Sequence, residues 1–153
     1  MKNFWGVLAA ALLMGTATVC AEDTEGEGAM RIKLAFDDKT VIVKMEDNSA
    51  SRQLVNMLPA KFEFIDFAGQ EKISEFPGPV SLSNAPRGMI ARAGKMFIYV
   101  PWGNLGFFYK DHGHTPDSDL IELGEVEKGL EALAEQKGGF SAEMTVLNGD
   151  ERP

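Results

Sequence analysis

The chain has 153 residues, a formal net charge of −8 and a single cysteine. That length suits one domain with a full hydrophobic core. The acidity excludes nucleic acid, whose phosphates need a basic footprint, and anionic membrane surfaces, and it is accounted for as a means of keeping the chain soluble.

The N-terminus, "MKNFWGVLAAALLMGTATVCA", sets one cation, Lys2, before an apolar run from Phe4 to Met14 and small residues ending in Val19-Cys20-Ala21. This is the order of a secretory signal peptide. The run is too short and too interrupted by Gly and Thr to span a bilayer, which takes about 20 apolar residues. Val19 and Ala21 occupy the positions a leader peptidase reads, so cleavage is expected after Ala21, with the product periplasmic or secreted. Lipidation of Cys20 is the competing use, and it would set a bulky Val19 where such sites carry smaller residues. Cleavage leaves no cysteine, and so no disulfide, thiol nucleophile or Cys-based metal site. It also leaves 14 Lys and Arg against 23 Asp and Glu, a net charge of −9. Residues 22–29, "EDTEGEGA", read as a flexible acidic spacer, 30–148 as the domain and 149–153 as a polar tail.

Within the domain, strand patterns dominate. "MRIKLAF" alternates Met30, Ile32, Leu34 and Phe36 against polar neighbours, Asp37-Asp38 turn the chain, and "TVIVKM" returns, which predicts a hairpin. "DNSASRQLVNMLP" offers Asp47, Asn48 and Ser49 as N-caps, spaces Leu54, Val55 and Leu58 helically and is closed by Pro59. "KFEFIDFAG" is a strand with Phe62, Phe64 and Asp66 opposite Lys61, Glu63 and Ile65. From Gln70 to Gly94, punctuated by Pro77, Pro79 and Pro86, the expectation is mostly loop with one or two short structured pieces. "KMFIYVP" and "NLGFFYK" form two strands around Pro101-Trp102-Gly103-Asn104, and "HGHTPDSD" is a polar loop. "LIELGEV" is a strand, "EKGLEALAEQKGG" a helix with Leu130, Leu133 and Ala134 inward, and "SAEMTVLN" the last strand. Six or more strands with two short helices predict a mainly β fold, a closed or nearly closed barrel.

The order of these elements, with "YVPWGNLGFFYKD" and "LIELGEVEKGLEAL", resembles the bacterial cyclophilin-like domain family over nearly all of residues 30–148. The resemblance implies a small closed barrel related in fold to the prolyl isomerases, without implying their activity. True cyclophilins carry a Phe-His-Arg strand and a Gln-Gly-Gly-Asp segment, and neither string occurs here. No catalytic residue carries over; Arg87 or Arg92 could supply the polarising cation only by convergence.

Other constellations are weak. His112-Gly113-His114 with Asp111, Asp117 and Asp119 has metal-ligand residue types, but alternating residues on one loop seldom converge unaided, and no metal site is assigned. No phosphate loop or Gly-x-Ser-x-Gly elbow occurs, and no cofactor is implied. The aromatic hairpin carries the binding expectation. Met96, Ile98 and Val100 share one face with Leu105, Phe107 and Tyr109, which fill the barrel; Phe97, Tyr99 and Phe108 face outward. Asn104 is expected to hold the turn in left-handed geometry after Gly103. The bare outer set must be covered by the Pro-rich loop or a helix, or line an apolar groove. The candidate ligand-binding residues are therefore Arg87, Arg92, Phe97, Tyr99, Trp102, Asn104 and Phe108, holding a small organic ligand or an extended peptide between the hairpin and the loop at 86–94. The alternative is a prolyl-isomerase-type enzyme without the usual motif.

Overall fold

The computed structural model describes residues 28–148. The leader, the spacer up to residue 27 and the tail at 149–153 lie outside the described residues. The chain runs β1 (Arg31–Phe36), β2 (Lys39–Met45), α1 (Ser49–Asn56), β3 (Ala60–Phe67), β4 (Glu71–Glu75) and β5 (Lys95–Tyr99). It continues with β6 (Asn104–Phe108), β7 (Leu120–Lys128), α2 (Leu130–Glu135) and β8 (Phe140–Leu147). The eight strands close into an antiparallel barrel in the order β1-β2-β7-β5-β6-β4-β3-β8.

Period-two patterning explains the closure. Ile32, Leu34, Phe36, Phe62, Phe64, Ala142 and Met144 all point inward from β1, β3 and β8 and are buried. Met96, Ile98, Leu105 and Phe107 join them from the aromatic hairpin, as their alternation requires. Phe64 lies 5.2 Å from Phe140 and 5.8 Å from Phe107 between ring centroids, an aromatic cluster on the inner face of the neighbouring strands β8, β3, β4 and β6. Both helices add to this core through Leu54 and Leu133.

The N-cap of α1 is Asn48, whose side-chain oxygen accepts from the amides of Ala50 and Ser51 at 3.0 Å. Its amide nitrogen donates to the Glu122 carbonyl at 2.8 Å, so the cap also fastens the helix to β7. Two expectations need correction. The second helix is shorter than its periodicity suggested, because Gly129 has φ +89° and its residues before Leu130 belong to β7. Ala134 is exposed; Ala132 packs on the core instead. The segment 70–94 is mostly loop, as expected, and its one strand, β4, takes a place in the barrel between β3 and β6.

That strand puts a lysine inside. Lys72 is 1% exposed, on the face of β4 that looks into one end of the barrel. Its Nζ donates to Asp66 Oδ1 at 2.6 Å and to the Gln136 carbonyl, and lies 4.8 Å from the centre of the Tyr109 ring. The Tyr109 hydroxyl donates to the same Asp66 oxygen at 2.8 Å. Lys72 holds the Asp66 carboxyl below its ordinary value, while burial and then Asp66 push the Tyr109 phenol up to about 12. Asp66 and Tyr109 stand on the inward faces that alternation assigned them. A buried lysine is tolerated because each of its contacts is an acceptor or a π face.

Candidate functional site

The outer face of the same hairpin builds the site. Phe97 pairs with Gly106 across β5 and β6, and a Cβ on Gly106 would come within 2.7 Å of the Phe97 ring. The missing side chain lets that ring lie flat over β6, where it stacks on Phe108 at 4.2 Å and 22°. His112 continues the stack, 6.1 Å from Phe108 at 15°. Met89 and Ala91 from the Pro-rich segment, with Ile73 and Leu120, pack around these rings as a small second core outside the barrel. A backbone bridge between Met89 and Asp117 pins that segment to the 110–119 loop.

This second core covers the outer aromatics incompletely, and what remains open is a pocket of about 250 Å³. Phe97, Phe108, Ile73 and Leu120 form its apolar lining, and Phe67, Tyr99 and Trp102 contribute three further rings. The Trp102 ring stands edge-on to Phe67 (5.8 Å, 85°) and to Tyr99 (5.2 Å, 86°), making right-angled corners. Trp102 is 63% exposed, far more than any core ring. Glu71, Asn104, His112 and Asp117 supply the polar wall. Beyond Trp102, Asn104 and Ile73, a second, more open cavity of about 710 Å³ runs along β3 and β4 past Ile65 and Phe76.

The polar groups are unevenly satisfied. His112 Nδ1 forms a hydrogen bond with the side-chain oxygen of Gln70. Asp117 accepts from the Asp119 amide at 2.9 Å. Glu71 has no ion-pair partner among the described residues, and burial raises its carboxyl above the ordinary value, with His112 opposing the shift. Asn104 Oδ1 is buried without a hydrogen-bond partner.

Five residues singled out from the sequence, Phe97, Tyr99, Trp102, Asn104 and Phe108, line this one pocket. The two arginines do not. Arg87 is exposed, and Arg92 turns away to Asp111 at 3.4 Å, because Met89 and Ala91 take the inward positions of that segment. Asn104 is not the turn's left-handed residue either. Gly103 is, at φ +66°, with its amide bonded to the Tyr99 carbonyl at 2.9 Å, and Asn104 begins β6. Among the described residues no three His, Cys, Asp or Glu side chains are grouped to hold a metal ion; Asp111 binds the Ala93 amide, and His112 turns into the pocket. Sequence reasoning missed Phe67, Glu71, Ile73 and Leu120, and weighed His112 and Asp117 only as metal-ligand types. Extending the outward set of β3 from Ile65 by two residues would have found Phe67.

Comparison with known proteins agrees with this geometry at the level of fold. A family model described as the cyclophilin-like family matches residues 34–145. The solution structure of the hypothetical protein AF2241 from Archaeoglobus fulgidus superposes with a TM-score of 0.63 at 17% identity, covering 80% of this chain and 98% of that one. No curated protein matches the chain.

Proposed function

The chain belongs to the cyclophilin-like family, and on that premise we propose that it is an exported binding module. Its ligand is a small organic molecule or an extended peptide, held at the outer aromatic face of the β5–β6 hairpin. The observation that carries this reading is the pocket itself: three rings, one of them a largely exposed tryptophan, border a concavity that also has a polar wall. Isolated exposed apolar residues are ordinary, but aromatic walls meeting around a cavity are the usual form of a ligand site.

No observation favours the isomerase alternative, since Arg87 and Arg92 both stand outside the pocket lining. A protease-coupled assay on a proline-containing peptide should give the uncatalysed rate. Acceleration that is lost in Arg87→Ala or Arg92→Ala would reverse the choice.

The binding reading is tested by recording ¹H–¹⁵N spectra of the purified protein against a set of small organic fragments. Fragments should shift the Trp102 indole and the amides of Tyr99 and Phe108, and Trp102→Ala should weaken them about tenfold. Shifts confined to other surfaces would sink the proposal. Export is tested separately, by N-terminal sequencing of protein recovered outside the cytoplasm. The sequence should begin at Glu22, and a lipidated Cys20 would refute cleavage after Ala21.

A further inference from the structure

We infer that the pocket selects a compact organic cation, an alkylammonium group seated against Trp102, Tyr99 and Phe67 and facing the carboxylate of Glu71. The inference rests on the reading of this pocket as a binding site and names the chemistry of its ligand.

Rings packed edge to face around a pocket still leave part of their π surface bordering it, and the negative face of an aromatic ring attracts a cation. Phe67, Trp102 and Tyr99 have this arrangement, with interplanar angles of 85° and 86°. The carboxylates in the wall outnumber its one basic side chain, His112. Glu71 and Asp117 contribute carboxylates, and no lysine or arginine lines the pocket.

Three neighbouring cations are engaged elsewhere. Lys72, the next residue along β4 from Glu71, points into the barrel and is held by Asp66 and Gln136. Lys95 lies between Glu122 and Glu125 at 2.6 and 2.9 Å, and Arg92 pairs with Asp111. Glu71 is thus a half-buried carboxylate with no lysine or arginine partner among the described residues, and burial raises its protonation equilibrium although the neighbouring His112 opposes the shift. Asn104 Oδ1 adds a second acceptor lacking a donor. A neutral apolar ligand would desolvate Glu71 further without compensation, and an anion would be repelled. A cation answers both the rings and the charge. The net charge of −8 favours its approach, and a volume of about 250 Å³ limits it to a small headgroup or a single side chain.

The probes are choline and its uncharged isostere 3,3-dimethylbutan-1-ol, titrated into the purified protein and followed at the Trp102 indole. Choline should bind about five- to tenfold more tightly than the alcohol. Glu71→Gln should remove most of that preference, weakening choline while the alcohol, which no longer desolvates a carboxylate, binds at least as tightly as before. Equal affinities, with both compounds shifting the pocket, would overturn the cation and leave the binding site standing. Fragments that bind there while choline does not would overturn the inference alone. If nothing shifts the pocket, the inference and the underlying reading fail together. A lysine-containing extended peptide supplies the last arm. Tighter binding than choline, with added shifts at Ile65 and Phe76, would assign the cation to a peptide side chain running along the neighbouring cavity. Affinity equal to that of choline would assign it to a free small molecule.

Discussion

Glu71 and Lys72 are neighbours on one short strand, yet they open onto two very different polar environments. Inside the barrel, the Lys72 ammonium and the Tyr109 hydroxyl both donate to the Asp66 carboxylate, and a backbone carbonyl takes a further ammonium proton. Outside, Glu71, Asp117 and the Asn104 oxygen border a cavity among aromatic rings, and Glu71 and that oxygen have no such partners. Both regions mix charge with aromatics, so composition does not tell them apart. Satisfaction does. A closed network specifies structure, whereas an open one facing a concavity is available to a ligand.

The contrast can be broken experimentally, and the largest effect is expected on the inner face. Phe107 is fully buried against Phe64, so Phe107→Ala should cost about 3–5 kcal/mol in denaturant melts. Lys72→Met comes next. It strands a carboxylate that is 29% exposed and a backbone carbonyl, and should cost about 2 kcal/mol, less than the loss of one partner from a fully enclosed pair. A Lys72→Met protein as stable as the parent would mean that the inner network is dispensable.

The two carboxylates should then respond to pH with opposite signs. Asp66 titrates below its ordinary value of 3.8 in the folded protein, so the unfolded chain takes up its proton first. Its stabilising contribution is complete above that value and is lost as pH falls through the lower, folded one. Glu71 titrates above its ordinary value of 4.5, so the folded protein binds its proton more readily. Stability is therefore given up as pH rises from 4.5 through the raised value. Glu71→Gln should raise the melting midpoint at neutral pH and flatten that stretch of the profile, while Asp66→Asn should lower the midpoint. Shifts of the same sign in both variants would erase the distinction between the two environments.

The smallest effect on stability is expected at Trp102. Because its ring is largely in water, Trp102→Ala should change stability by less than about 1 kcal/mol with an unchanged denaturant slope. Should Trp102→Ala unfold the domain while Phe107→Ala is harmless, the two faces of the hairpin have been exchanged.

Most of the barrel was legible because alternation is a local signal. The Phe62–Phe64 face of β3, the Met96–Ile98 face of β5 and the Leu105–Phe107 face of β6 could each be read without knowing a partner strand. β4 was not, since "EKISE" puts charge on both faces, at Glu71, Lys72 and Glu75, and its inward lysine is supported by Asp66 and by Gln136, which is distant in sequence. The site followed the same division. Its aromatic members came from alternation within one hairpin. Glu71 and Ile73 arrive through pairing of β4 with β6, Glu71 opposite Phe108, a register no local pattern contains. Arg87 and Arg92 were chosen for chemistry in a segment whose direction proline and glycine concealed. Met89 and Ala91, two residues apart, held the signal for which side of it faces in.

The closing seam of the barrel has its own consequence. β1 pairs with β8, and Arg31 stands directly opposite Leu147, so the two ends of the described domain leave the barrel side by side. A short linker between them would leave every strand with its two neighbours. Reopening the chain at the exposed Asp37–Asp38 turn would then give a circular permutant with the same barrel and the same pocket.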